Sequence, residues 1–238
     1  MKLRPLPEID LARIAPQPTE MKWSMLRSFK TGGGSWSYQP AREQVFNIFN
    51  PANPMGLRLR EPSLAKIESQ IRKSCRIDAQ ESACIEVTRL LWQWAQENAG
   101  PAVEKPQSSM AIGSIASVRY WGNFAFLHRD RPTFVFLDHR RGTRLTKVGL
   151  RFAMSMMHQQ LRLPDPDFSE AALLVLQFPA PDRDERIIVE KWDSQFELYT
   201  FDELQEMVTE TYDIWRTINE ERVSSERRRA AGDDWWGG

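Results

Sequence analysis

The sequence predicts an α+β protein in which a helical N-terminal region precedes a mostly antiparallel sheet, and a long C-terminal helix closes the fold (order ααββαβββα). Three observations support this class. Apolar residues recur at helical spacing before residue 100, aromatic and β-branched residues dominate short runs after residue 114, and one apolar helical face follows residue 200. With 238 residues, 41% of them apolar, the chain can bury a sizeable core, which excludes a disordered protein.

Prolines, glycines and asparagines interrupt the first 60 residues, so we expect an extended arm with a short helix at about 41–49 that packs on the rest. Two longer helices should follow. Ser63 can cap one over about 64–76. The pair Asp78 and Glu81 has the spacing of a capping box, which predicts the start of the next helix.

The pattern changes to strands beyond residue 110. A polar turn at 128–131 separates two apolar runs, which predicts an antiparallel hairpin. A helix over about 146–161 and a final helix that opens with Thr200 and Glu203, a second capping box, complete the helical elements. Strands are predicted at Ile115–Leu127, Pro132–Leu137, Leu173–Phe178, Arg186–Trp192 and Phe196–Tyr199.

Residues 101–110 are rich in proline and polar side chains, and they mark the predicted boundary between two regions. Residues 1–100 then form a Pro/Gly-rich arm plus a helical region, and residues 111–224 form an α+β domain. Residues 225–238 are predicted to be a flexible acidic-aromatic tail. Because this order of elements is common, the fold class alone argues little about function.

Composition and cysteine content indicate a soluble, cytoplasmic protein of a bacterial type. The longest apolar run, residues 171–176, is far shorter than the roughly 20 residues that span a bilayer, and the N-terminus has no apolar signal sequence. Cys75 and Cys84 are too few for a disulfide scaffold and are interpreted as reduced thiols. No cofactor and no metal site are predicted.

Charge is divided unevenly along a chain whose net charge is zero. Residues 1–151 carry 23 basic and 13 acidic side chains, whereas residues 152–238 carry 9 basic and 19 acidic ones. Such asymmetry indicates nucleic-acid contact through the basic half, or a basic partner for the acidic half. Alternatively, the two halves fold together and neutralise each other.

The strongest candidate for a binding site is a basic turn within residues 128–151, where seven cations accompany only Asp130 and Asp138. Guanidinium groups match phosphate oxygens in pairs, and a helix that starts near Thr146 would add amide donors. We therefore predict contact with nucleic acid or phosphate; in the alternative interpretation the arginines pair with the acidic half. The candidate residues are Arg129, Arg131, Arg140, Arg141, Arg144 and Lys147.

Four aromatic residues lie just before this turn, namely Tyr120, Trp121, Phe124 and Phe126. If alternate members face solvent, they can stack on unpaired bases, as aromatic side chains do in proteins that bind single strands. If they face the buried side of the sheet instead, they form part of the core.

The three histidines, His128, His139 and His158, lie within 31 residues, but none has the short spacing of a metal-binding pair. A nuclease or phosphodiesterase is therefore kept as an alternative function, with His128, Asp138 and His139 as catalytic candidates. Arg140 would stabilise the phosphorane charge in such an enzyme. The chain has no G-x-S-x-G nucleophile elbow, so covalent catalysis has no support.

The C-terminus is acidic and aromatic, and it ends Asp-Asp-Trp-Trp-Gly-Gly. Two tryptophans are costly to leave in water, so Asp233, Asp234, Trp235 and Trp236 are predicted to dock on a protein partner. This tip resembles the C-terminal partner-docking tips of bacterial single-strand DNA-binding proteins, and the final Gly-Gly resembles that of ubiquitin-like modifiers. The other possibility is that the tail folds back onto its own domain.

Together these features predict a bacterial accessory protein that works in a multi-protein assembly and contacts nucleic acid or phosphate through the basic turn. The nuclease or phosphodiesterase is the first alternative. A protein-docking module that acts only through its C-terminal tail is the second.

Overall fold

A five-stranded mixed sheet forms the centre of the computed structural model, which describes residues 3, 5–29, 37–52, 63–105, 109–113, 115–119, 124–181 and 185–233. The strands are β1 Ala102–Glu104, β2 Ser109–Ile112, β3 Ile115–Arg119, β4 Phe124–His128, β5 Arg131–Asp138, β6 Ala172–Gln177 and β7 Val189–Trp192. The central sheet has the order β1-β4-β5-β6-β7, and β2 and β3 form a separate two-stranded sheet. Between the described strands of the central sheet, every pairing is antiparallel except β5 with β6, and a single parallel bridge joins Ala52 to Val103 of β1.

Helices account for most of the remaining described chain. They are α1 Glu8–Ile14, α2 Thr19–Ser28, α3 Gln39–Arg42, α4 Val45–Phe49, α5 Leu64–Ser74, α6 Asp78–Asn98, α7 Lys147–Met157 and α8 Phe201–Asp233. A π-helical turn at His158–Arg162 continues α7, and short 3-10 turns lie at Pro166–Phe168 and Asp193–Gln195.

The β5–β6 pair is parallel because α7 carries the chain back between the two strands, as a parallel connection requires. The pairing runs from Thr133 opposite Ala172 to Asp138 opposite Gln177. Most of β5 and all of β6 are buried, and such near-continuous apolar sequence suits strands that are covered on both faces. The carboxyl ends of the two strands therefore meet at one edge of the sheet.

Helices cover both faces of the sheet and give it two hydrophobic cores. Alternate side chains of β5 point to opposite faces: Phe134 and Phe136 belong to one core, whereas Val135 and Leu137 belong to the other. The first core is filled from α1, α2, α7 and α8, and the second from α3, α4, α5 and α6. Residues before 100 thus contribute to both cores: α1 packs on α7 and α2 on α8 in the first, whereas α3, α4 and α5 pack on α6 in the second.

The predicted α+β class, with its helical N-terminal region, mostly antiparallel sheet and long C-terminal helix, is confirmed. The predicted extended arm is wrong at α1 and α2, which are helices. Pro7 and Pro18 occupy the N-cap positions of these helices, each with a φ of −56°. A proline at a helix start loses no hydrogen bond, so these prolines mark where the helices begin and do not break them.

Two strand predictions also differ from the structure. Phe196–Tyr199 forms no strand, because the turn at Asp193–Gln195 directs the chain away from β6 and onto α7. The predicted single strand Ile115–Leu127 is divided: β3 pairs with β2, whereas β4 pairs with β1 and β5. Residues 120–123, between β3 and β4, lie outside the described residues.

Regular structure also crosses two of the predicted boundaries. β1 lies within the predicted linker 101–110 and pairs with β4. The helix α8 continues past residue 224 to Asp233, whereas Asp234, Trp235 and Trp236 lie outside the described residues. Within the described chain, no helix is both long enough and apolar enough to cross a membrane.

Candidate functional site

The candidate site lies where β5 and β6 end side by side. The chain leaves β5 at Asp138, makes a turn over residues 139–146 and enters α7. In open sheets that contain parallel strands, loops at the carboxyl ends of those strands commonly carry binding residues. The part of the predicted basic turn that follows β5, residues 139–147, occupies this position.

Asp138 fixes the shape of the turn from within the sheet. Its carboxylate accepts hydrogen bonds from the Leu145 N–H at 2.7 Å, Gln177 Nε2 at 3.1 Å and the Arg140 N–H at 3.3 Å. Burial raises the pKa of Asp138, while these donors oppose that rise. Both carboxylate oxygens are engaged, so the residue holds the two ends of the turn together.

His139 is buried between two aromatic rings. Its imidazole stacks on Tyr38, with a centroid distance of 5.7 Å, and on Phe178, at 5.4 Å. Burial, followed by the nearby charges of Arg42 and Arg186, lowers the pKa of His139 to about 3. The ring is therefore neutral at physiological pH and does not exchange protons there.

The structure does not bring the three catalytic candidates together. His128 lies at the start of the β4–β5 turn, opposite Arg131, whereas Asp138 and His139 lie at the far end of β5. At roughly 3.3 Å per residue, the eight residues of β5 put these ends about 23 Å apart. His158 begins the π-helical turn after α7. A search of the described residues finds no group of three His, Cys, Asp or Glu side chains able to hold a metal ion.

The predicted nucleic-acid-binding residues divide into two groups at opposite ends of β5. Arg129 and Arg131 lie at the β4–β5 turn, where Arg131 Nε donates to the Glu170 carbonyl at 2.9 Å. Arg140 is half-buried and pairs with Asp10 at 2.7 Å. The remaining three, Arg141, Arg144 and Lys147, are exposed and pair with no acid of the described chain.

A basic cleft of about 690 Å³ opens between this turn and β7. Arg144, Lys147 and Lys191 supply its charge, and no acidic residue lines it. Thr146, the N-cap of α7, makes no side-chain capping bond, and the first turn of α7 contains no acid. The cleft therefore has a positive potential that the described residues around it do not balance.

The aromatic residues before the turn do not reach the cleft where the structure describes them. Phe124 and Phe126 are buried in the second core, where both rings contact Phe49. They fill the core and are not available to stack on bases. Tyr120 and Trp121 lie outside the described residues.

A second feature, which the sequence analysis did not recognise as a site, is the segment of residues 195–200. It connects the turn at Asp193–Gln195 to α8, and its backbone is extended at Phe196. Phe196, Leu198 and Tyr199 are half-buried against the first core. The Tyr199 N–H donates to Ser155 Oγ at 2.8 Å, and the Arg151 guanidinium lies 3.7 Å from the centre of the Tyr199 ring. Leu198 has no backbone hydrogen bond to any described residue. The segment therefore leaves one backbone edge open.

The 195–200 segment adjoins the basic cleft, because two of its residues, Gln195 and Phe196, line the cleft. The alternation of apolar and polar residues that predicts a strand here is the signal that could have identified a half-exposed extended segment. Of the predicted tail site, only the backbone of Asp233 is described, at the end of α8. Its proposed docking role, and that of Asp234, Trp235 and Trp236, stays a prediction.

The chain is similar to known proteins over nearly its whole length. A family model described as "Sliding clamp-binding bacterial toxin SocB" matches residues 9–225. The chain is also 33% identical over 238 residues, the full length of both proteins, to the DNA replication inhibitor toxin SocB of Caulobacter vibrioides (strain NA1000 / CB15N). No solved structure matches. The matched region includes the central sheet, the basic cleft and the 195–200 segment.

Proposed function

The chain belongs to the family of sliding clamp-binding bacterial toxins SocB, and from this premise we propose that it inhibits DNA replication by binding a bacterial sliding clamp. The observation that carries the proposal is the 33% identity to a DNA replication inhibitor toxin over the whole of both chains. Such an activity requires a binding surface and no turnover. It would operate in the bacterial cytoplasm, where replication takes place.

The 195–200 segment is the surface best suited to this contact. Extended segments are recognised by grooves that accept alternate side chains and pair with an open backbone edge. Leu198 offers both features, because its half-buried side chain is partly accessible to solvent and its backbone groups have no described partner. Two anchors on α7, Arg151 and Ser155, hold the segment in place. Binding therefore costs little conformational entropy.

The surroundings of the segment resemble the composition of a protein interface. Val148 and Phe201, large apolar residues on the elements next to the segment, are 39% and 37% exposed. The cations of the basic cleft stand beside them. Apolar contacts surrounded by charged residues are typical of specific interfaces. When this chain is bound to the clamp through this face, any other protein that uses the same clamp surface would be excluded. Binding alone would then be enough to stop replication.

Binding to a purified bacterial sliding clamp, measured by isothermal titration calorimetry, tests the proposal. Leu198→Ala should weaken binding at least tenfold, because it removes an apolar side chain from the centre of the contact. Leu163→Ala is the matched control, since Leu163 is 58% exposed and lies outside this face. If the two variants bind the clamp with equal affinity, the contact does not lie at Leu198. If the unmodified chain does not bind the clamp, the proposal is wrong.

A second candidate function is contact with DNA through the basic cleft, and the unpaired cations favour it. Replacing Arg141, Arg144 and Lys147 with alanine should weaken binding of labelled DNA in fluorescence anisotropy. It should also reduce the slope of the logarithm of the binding constant against the logarithm of salt concentration, by about one unit per lost phosphate contact. The control replaces Lys66, Lys73 and Arg76, exposed cations of the α5 region, and removes the same charge.

The same DNA samples also test the nuclease alternative. Strands incubated with the protein, with and without Mg²⁺, are examined on a denaturing gel. Intact strands with salt-sensitive binding support a binding cleft, and shortened strands support an enzyme. No binding at low salt, or equal losses in the two triple variants, would contradict DNA contact through the cleft. Any role of Arg129 and Arg131 at the other end of β5 remains a separate prediction.

A further inference from the structure

Three arginines converge where α1, α3 and the end of β5 meet. Arg140 Nη2 lies 2.7 Å from Asp10 Oδ1, and Arg13 Nη2 lies 3.7 Å from the same oxygen. Arg42, on α3, lies 3.9 Å from Glu8 of α1. One carboxylate oxygen is thus shared by two guanidinium groups, and a third cation is close to them.

Two donors in this cluster have no acceptor. Arg13 Nε and Arg140 Nη1 are buried and have no hydrogen-bond partner among the described residues. Buried donors of this kind are rare, because each loses its hydration without compensation. The unpaired donors belong to the two guanidinium groups that share Asp10, so they mark one place where an acceptor is missing.

Nearby groups do not supply this acceptor. The carboxylate of Asp138 is occupied by three other N–H donors, two of them on the turn and one on Gln177. Arg186 pairs with Glu86, and His139 is neutral. None of these neighbours accepts a hydrogen bond from Arg13 Nε or Arg140 Nη1.

The electrostatics of the cluster agree with its geometry. Burial, and then the charge of Arg140, lowers the pKa of Arg13. Burial lowers the pKa of Arg42 to about 10, and Arg140 adds to that effect. Crowded cations oppose one another's charge, and an added anion would relieve this repulsion.

We infer that Arg13, Arg42 and Arg140 form a binding site for a phosphate group. A tetrahedral oxyanion presents several acceptor oxygens, which suit the paired donors of guanidinium groups. The three side chains are 23–28% exposed, so the site is reached from solvent. Inorganic phosphate and the phosphate of a small monoester, such as a nucleotide, share this chemistry. The inference does not depend on clamp binding.

Thermal unfolding of the full chain tests the site, with inorganic phosphate compared against sodium chloride at equal ionic strength. Phosphate should raise Tm in a saturable manner, and Arg13→Gln should abolish the increase. Arg76→Gln is the matched control: it removes an exposed arginine outside the cluster and outside the basic cleft, and it should keep the response. Adenosine monophosphate forms a second arm, since a lower saturating concentration than that of phosphate would identify a nucleotide ligand.

A Tm that rises no more in phosphate than in chloride would overturn the inference, as would an undiminished response in Arg13→Gln. If Arg13→Gln does not fold, Arg13→Lys replaces it, because lysine keeps the charge and loses the paired donors. The phosphate concentration at half-saturation should then rise at least tenfold, and an unchanged value would count against the site. Clamp affinity, measured separately, distinguishes failure of this inference from failure of the proposed function.

Discussion

His139 lies between the rings of Tyr38 and Phe178, and this environment decides its chemistry. A histidine at the end of a strand, beside arginines, has the sequence context of an acid–base catalyst. Once it is buried among aromatic rings and cations, however, its charged form is disfavoured and its pKa falls to about 3. The neighbouring Asp138 is similarly engaged by three donors. At this scale, both residues stabilise the turn that presents the basic cleft.

The depressed pKa of His139 predicts a specific loss of stability in mild acid. The unfolded chain takes up a proton near pH 6.5, whereas the folded chain resists protonation until about pH 3. Stability should therefore fall as pH drops below 6.5, by about 1.4 kcal/mol per pH unit. By pH 5, His139 should account for a loss of about 2 kcal/mol relative to pH 7.

Urea unfolding of the unmodified chain and of His139→Phe at pH 7, 6 and 5 measures this effect. Phenylalanine preserves the stacking and does not titrate. As pH falls, the free energy of unfolding of the unmodified chain should therefore decrease more than that of His139→Phe. Parallel pH profiles would show that His139 is not the group responsible.

At the scale of elements, sequence patterns identified most of the fold where a cap and an apolar face agree. Ser63 caps α5 as predicted, with its Oγ accepting from the Lys66 N–H at 3.3 Å, and the Thr200–Glu203 capping box opens α8. The patterns failed at α1 and α2, because proline signals a helix start as well as a break. Pattern alone does not distinguish these cases, since the packing partner of α1, the helix α7, is more than 130 residues away.

The candidate site was predicted in part for a similar reason. The cationic turn after β5 is local and can be identified from the sequence. The pairing of Arg140 with Asp10 joins residues 130 positions apart, and the position of the 195–200 segment depends on side chains of α7. Both arrangements follow from the tertiary packing of α1 and α7, which no local pattern reports.

Removal of the cap on α5 should have a small and local effect. Ser63→Ala leaves the Lys66 N–H without its side-chain acceptor, so the free energy of unfolding should fall by about 1 kcal/mol. Chemical denaturation provides the measurement. Ser74→Ala, at the exposed C-terminal end of the same helix, should change stability little. Equal losses in the two variants would contradict a capping role.

At the scale of the whole molecule, the uneven charge is partly balanced by contacts between the two halves of the sequence. Lys22 of α2 is buried and pairs with Glu210 of α8, and Lys105 pairs with Asp165 at 2.7 Å. The arginines of the basic turn form no such pair among the described residues, because the acid that Arg140 contacts, Asp10, lies in the same half of the sequence. The cleft therefore keeps a positive charge that these contacts do not balance.

Because α1 and α7 share one core, the N-terminal region and the sheet should unfold together. Ile14→Ala, which truncates a fully buried side chain of α1, should reduce the free energy of unfolding by about 3 kcal/mol. Far-ultraviolet circular dichroism and tryptophan fluorescence should report one coincident transition. Met21→Ala is the control, since Met21 is 50% exposed on the adjacent α2. Two separate transitions would indicate independent domains.

The length of α8 has a consequence for attaching the protein to a surface or a dye. The helix begins at Phe201, beside the 195–200 segment, and ends at Asp233. At 1.5 Å per residue, its two ends are about 50 Å apart. A tether at the C-terminal end of α8 would therefore present the opposite end of the helix, with the face proposed to bind the clamp, to the solution. With one dye at Asp233 and another on a bound clamp, energy transfer would measure the distance between these two positions in the complex.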